Sequence, residues 1–159
     1  MKRLKYLIVL LLFTFSYAGS YTDLYPYLVD IKGWKGDKPT GSKMSGPFGT
    51  AITAQRSYIK DSKSLEVTIF KGSMAAAMFA PFTMITEVDT PTEYVKVFNF
   101  KGFKTGLSHN KQENSGEIIV FLVPDGVFSV KYSGMGYKEA LDLIGNFPLK
   151  EISKKLMEM

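Results

Sequence analysis

Hydrophobic and polar positions divide this chain into a greasy head, a Gly- and Pro-rich lead-in, and a body of short alternating runs. Tyr6 to Phe15 carries no charge and follows a positive start at Lys2, Arg3 and Lys5. Ser16-Tyr17-Ala18 then offers small residues at both positions a signal peptidase reads. This layout predicts a secretory signal peptide over residues 1–18, cut after Ala18. The apolar run is shorter than the roughly 20 residues that cross a bilayer, and an uncleaved short anchor is the lesser alternative.

Residues 19–49 hold Gly33, Gly36, Pro39, Gly41, Gly46, Pro47 and Gly49 and read as an irregular N-terminal arm. Leu24, Leu28, Ile31 and Trp34 punctuate it, so parts of it should dock on the domain that follows. From Thr50 to Ile59 the chain favours β-structure and ends in the polar turn Lys60–Lys63. Leu65, Val67 and Ile69 then alternate with Glu66, Thr68 and Phe70, which predicts a β-hairpin. Met74 to Ala80 is rich in alanine behind Ser73, which predicts a short buried helix with Ser73 as N-cap, ended by Pro81.

Tyr94 to Phe100 reads as a strand, and Lys101 to Leu107 as its bent continuation or as a second strand after a turn. Ser108 to Ser115 reads as a polar loop. Glu117 to Val123, the turn Pro124-Asp125-Gly126, and Val127 to Tyr132 make a further hairpin. Tyr137, Leu141 and Ile144 fall on one helical face, as do Leu149, Ile152 and Leu156 after Pro148. Local hairpins with helices between and after them predict an α+β fold. The expected architecture is one domain over residues 50–159, an antiparallel sheet of five or six strands covered by helices on one face.

Charge matters only after the head is set aside. The chain has 20 Lys+Arg against 15 Asp+Glu, a net +5. The head holds three of the basic residues and no acid, so the remainder carries 17 against 15, or +2. That balance argues against a nucleic-acid partner. Removing 18 residues from 159 leaves 141, enough for one domain with a core of its own. The chain has no cysteine, so it holds no disulfide, no thiolate metal site and no lipidated cysteine. The expectation is an exported protein, periplasmic or extracellular, with no stable membrane anchor after cleavage.

Candidate chemistry is sparse. His109 is the single histidine, and it reads as an exposed loop residue without a triad partner. Ser57-Tyr58-Ile59-Lys60 matches an S-x-x-K string, but in a strand its Ser and Lys point to opposite faces. Ser73 sits at a strand-to-helix turn that lacks the glycine of a nucleophile elbow. Glu87 with Asp89, and Glu113 with Glu117, read as solvated carboxylates. No catalytic residue, metal site or cofactor is therefore expected. A small exported hydrolase using carboxylates or Ser73 is the first alternative. A copper protein built on Met74, Met78 and His109 is the second, because thioethers suit Cu(I).

Aromatic residues make up 14% of the chain, with 12 Phe and 9 Tyr, more than one sheet face needs. An apolar site beside the short helix follows, with Trp34, Met74, Met78, Phe79 and Phe82 as candidate ligand-binding residues. That reading needs an exposed apolar patch or pocket near Met74 and Phe79. The lead-in at Gly33-Trp34, the hairpin, the helix after Gly72-Ser73, the strand Glu117–Leu122 and the helix from Tyr137 together resemble the PsbP/Mog1-like α/β sandwich proteins. The resemblance spans about Gly33 to Leu156 and is one of element order. It implies an accessory or binding role and assigns no residue. The expected function is that of an exported non-catalytic binding or accessory protein of the bacterial cell envelope, taking a small apolar ligand or an envelope protein partner.

Overall fold

The computed structural model describes residues 19–47 and 49–159, and the expected leader with its cleavage site lies outside the described residues. Among these residues nine strands make one antiparallel sheet: β1 (Lys35–Gly36), β2 (Thr40–Gly46), β3 (Gly49–Lys60), β4 (Lys63–Lys71), β5 (Glu87–Asp89), β6 (Glu93–Phe100), β7 (Phe103–Asn110), β8 (Ser115–Val123) and β9 (Gly126–Ser133). The order across the sheet is β1-β3-β4-β9-β8-β7-β6-β5, with β2 also on β3. Among the described residues there are also three helices, α1 (Ala75–Phe79), α2 (Tyr137–Ile144) and α3 (Leu149–Glu158), and two 3-10 turns, one at Tyr21–Tyr27 before β1 and one at Ala80–Phe82 directly after α1.

The expected α+β class holds, but the sheet is larger than five or six strands. The unforeseen members are β1, β2 and β5, with sequences Lys-Gly, Thr-Gly-Ser-Lys-Met-Ser-Gly and Glu-Val-Asp. Such edge strands join by backbone hydrogen bonds and bury little, so they leave no alternating signature. The stretch read as an irregular arm therefore supplies a 3-10 turn and two strands. The Ser20 hydroxyl and the Asp23 carboxylate cap the 3-10 turn reciprocally.

Two further expectations are corrected. Residues 108–115 are not a polar loop: β7 runs to Asn110 and β8 starts at Ser115, with Asn110 Oδ1 accepting from the Gln112 and Glu113 amides in the tight turn between them. Lys101 and Gly102 both take positive φ (51° and 92°), so β6 and β7 are two strands joined by a two-residue hairpin turn. Ser73 is not the N-cap of α1. Met74 holds that position without a side-chain hydrogen bond, and the helix gives way to 3-10 geometry at Pro81.

Alternation along the strands sorts side chains onto two faces. On one face Tyr58, Leu65, Val67, Ile69, Ile118, Val120, Phe128 and Val130 meet Ala140, Ile144, Leu149, Ile152 and Leu156 of α2 and α3. Leu24, Leu28 and Ile31 belong to the same core. Each fully buried side chain of this size contributes roughly 1.5–3 kcal/mol. Helices do not lie on one face only. On the opposite face, α1 and the 3-10 turn after it bring Ala75, Phe79 and Phe82 onto Val95, Ile119 and Val127. Gly106 makes room there, since a Cβ on it would lie 2.3 Å from Phe82 Cγ. Away from α1 that face carries a polar register, Ser57, Glu66, Lys131, Glu117 and Ser108, with Ile59 and Val88 exposed on it.

Candidate functional site

The β2–β3 hairpin outruns its neighbour. The last pair of β3 with β4 is Ile52 with Lys71, leaving Gly49, Thr50 and Ala51 beyond it. Met44 pairs with Ala51 across the hairpin. A groove of about 200 Å³ runs between this end and the start of α1, lined chiefly by Met44, Gly46, Gly49, Ala51 and Met74. Met44 is 65% exposed and Met74 60%, unusual exposure for apolar side chains that share a groove.

A second cavity, of about 260 Å³, lies beside it and shares Gly49, Thr50 and Ser73 with the groove. Lys43, Ile52 and Lys71 reach it because register places all three on the α3 face of the sheet. Gly19, Asp125 and Met159 complete the wall. Lys71 Nζ is fully engaged, donating to the Leu156 carbonyl at 2.7 Å and pairing with Asp125 at 3.0 Å. Among the described residues Lys43 Nζ donates only to the Gly19 carbonyl, at 3.2 Å.

The five residues singled out from the sequence fall in different places. Met74 rims the groove. Phe79 and Phe82 are 4% and 5% exposed and form the packed floor under α1, with Met78 half-buried beside them. Trp34 packs on the other core, beneath the α2/α3 face. Met74 and Trp34 therefore do not share a site.

Neither catalytic nor metal alternatives are brought together. Gly72 N–H donates to the Asp125 carbonyl, which places Ser73 at the Gly126 end of β9. His109 contacts Tyr132, six residues further along β9, or about 20 Å at the usual strand rise. The His109 ring meets Tyr137 of α2, on the face of the sheet opposite the one where Met78 of α1 packs. The carboxylates are individually engaged: Glu87 accepts from Tyr94 Oη at 2.7 Å, Asp89 pairs with Lys111, Glu113 accepts from Ser115 Oγ at 3.3 Å, and Glu117 accepts from Ser129 Oγ at 3.1 Å. The Tyr94 hydroxyl and Lys96 ammonium hold the Glu87 carboxyl below its usual range. Among the described residues no group of three or more His, Asp or Glu side chains is placed to hold a metal ion.

His109 itself overturns its sequence reading. It lies in β7, 5% exposed, with Nδ1 2.9 Å from Tyr132 Oη. Its ring stacks on Tyr132 at 14° and meets Tyr137 of α2 edge-on. Gly116 stands between His109 and Tyr132 in the register, and a Cβ there would lie 2.5 Å from Tyr132 Oη. Burial pushes the imidazole below its ordinary pKa and the Tyr132 phenol above its own. The signal was present in the sequence: Thr105, Leu107 and His109 continue the period-two pattern through residues that look polar.

No family model, no curated protein and no solved structure matches this chain.

Proposed function

We propose that this protein is an exported, non-catalytic binding protein of the bacterial cell envelope that takes a small apolar ligand in the groove between Met44 and Met74. The exposed methionine pair carries the reading. Two flexible, polarisable side chains border an apolar groove that the described residues leave unfilled, and methionine adapts to varied apolar shapes. The dispersal of Ser73, His109 and the carboxylates favours binding over hydrolysis. The basic, apolar, small-residue head supports export, and the accessory role implied by the sandwich resemblance agrees with it.

Two measurements test the proposal. Expression of the full chain in a bacterial host should yield an envelope protein whose amino-terminal sequence starts Gly19-Ser20-Tyr21. Intact Met1 on a cytosolic product would overturn export. The neutral dye Nile red should bind the purified protein and be displaced by decanol, and joint replacement Met44→Ser and Met74→Ser should weaken it about tenfold. An unchanged dye affinity in that variant would remove the groove as the site. Stoichiometric capture of an envelope protein, lost in the same variant, would replace the small ligand by a protein partner.

A further inference from the structure

We propose that the cavity beside the groove is an anion site, built to hold a small organic carboxylate or phosphate ester through Lys43. It is argued independently of the apolar groove, although the two share a wall.

Side-chain charge in the cavity is unequal. Lys71 and Asp125 neutralise one another at 3.0 Å, and the Leu156 carbonyl takes a further Lys71 donor. Lys43 is left over. Among the described residues its one acceptor is a carbonyl, which brings no compensating charge, and it forms no ion pair. An ammonium has three donors, so Lys43 retains two for a ligand. Thr50, whose hydroxyl shares a hydrogen bond with Ser45 Oγ at 3.1 Å, stands on the same wall, and the side chains of Ile52 and Met159 supply apolar surface. A volume of about 260 Å³ suits about ten non-hydrogen atoms at liquid-like packing. That combination fits an anionic head on a short apolar body, and a bare inorganic ion would leave the apolar wall unused.

Titration of the purified chain with hexanoate and phenyl phosphate, followed by amide chemical shifts, tests this. Shifts should centre on Thr50, Lys71 and Ser73, and affinity should fall about threefold or more as sodium chloride rises from low to physiological levels. Lys43→Gln should weaken both anions about tenfold. Lys43 is exposed on an edge strand, and an unchanged thermal midpoint in the variant would show that the fold survives. Hexanol binding as tightly as hexanoate, or equal affinities in the variant and the parent, would overturn the proposal. So would inorganic phosphate binding as well as the esters, which would mark an adventitious ion only. Nile red binding in the Lys43→Gln variant should be unchanged, so failure here and failure of the groove reading are separable.

Discussion

Single residues show how burial changes chemistry that looks ordinary in the sequence. His109 resembles a loop histidine until β7 carries it under α2, where the Tyr132 and Tyr137 rings exclude water. Desolvation disfavours the imidazolium, so the folded pKa lies below the ordinary His value. The unfolded chain then takes up a proton near pH 6.5 that the folded chain still refuses. Stability is therefore fully present above that pH, and it falls as pH drops through the ordinary value toward the folded one. The urea midpoint should decline between pH 7.5 and 5.5, and His109→Gln should remove that component of the slope. Because the chain has one histidine, a parent and a variant with identical pH profiles would refute the assignment. Tyr58 shows the same physics without a switch. Burial lifts its phenol to about 12, against the pull of Arg56, and its hydroxyl donates to the Val29 carbonyl at 2.7 Å.

At the level of elements, Arg56 is the clasp between β3 and the lead-in. Its guanidinium donates to the Asp37 and Leu28 carbonyls, both at 2.7 Å, and to Asp30 at 2.6 Å. It also lies 5.0 Å from the centre of the Tyr58 ring. The Asp30 side chain is 92% exposed, so that ion pair contributes little. The bond to the Leu28 carbonyl matters more, because a donor lost there leaves a part-buried oxygen without its charged partner, whereas the Asp37 carbonyl is exposed and can turn to water. Arg56→Met should cost about 2–3 kcal/mol in urea unfolding. It should also speed hydrogen exchange between residues 20 and 37 ahead of the rest of the sheet. Exchange that rises uniformly across all strands would show that the clasp is not local.

Across the whole molecule, one pairing joins two locally built halves. The β6–β9 meander and the β3–β4 hairpin form between sequence neighbours, whereas β4 meets β9 over a long stretch of chain. Leu24, Leu28 and Ile31 enter the same core as α2 and α3, so the lead-in should unfold with the body. Trp34 is the sole tryptophan and sits in that lead-in, whereas far-UV circular dichroism reports mainly on the sheet and helices. The two denaturation curves should coincide. An earlier tryptophan transition would mean that residues 19–34 detach as a separate unit.

Where burial is periodic, the chain announced its own structure: the hairpins around Lys60–Lys63 and Pro124-Asp125, the helices at Tyr137 and Leu149, and the α+β class all follow from which positions must avoid water. Strands β1, β2 and β5 were hidden because edge pairing uses backbone groups that every residue possesses. The groove and the cavity were equally hidden, since Met44, Lys43, Lys71, Gly19 and Asp125 are scattered along the chain and meet only where the hairpin outruns β4. Local sequence specifies each element's buried face. Convergence of remote side chains depends on register and sheet order, which only the folded chain sets.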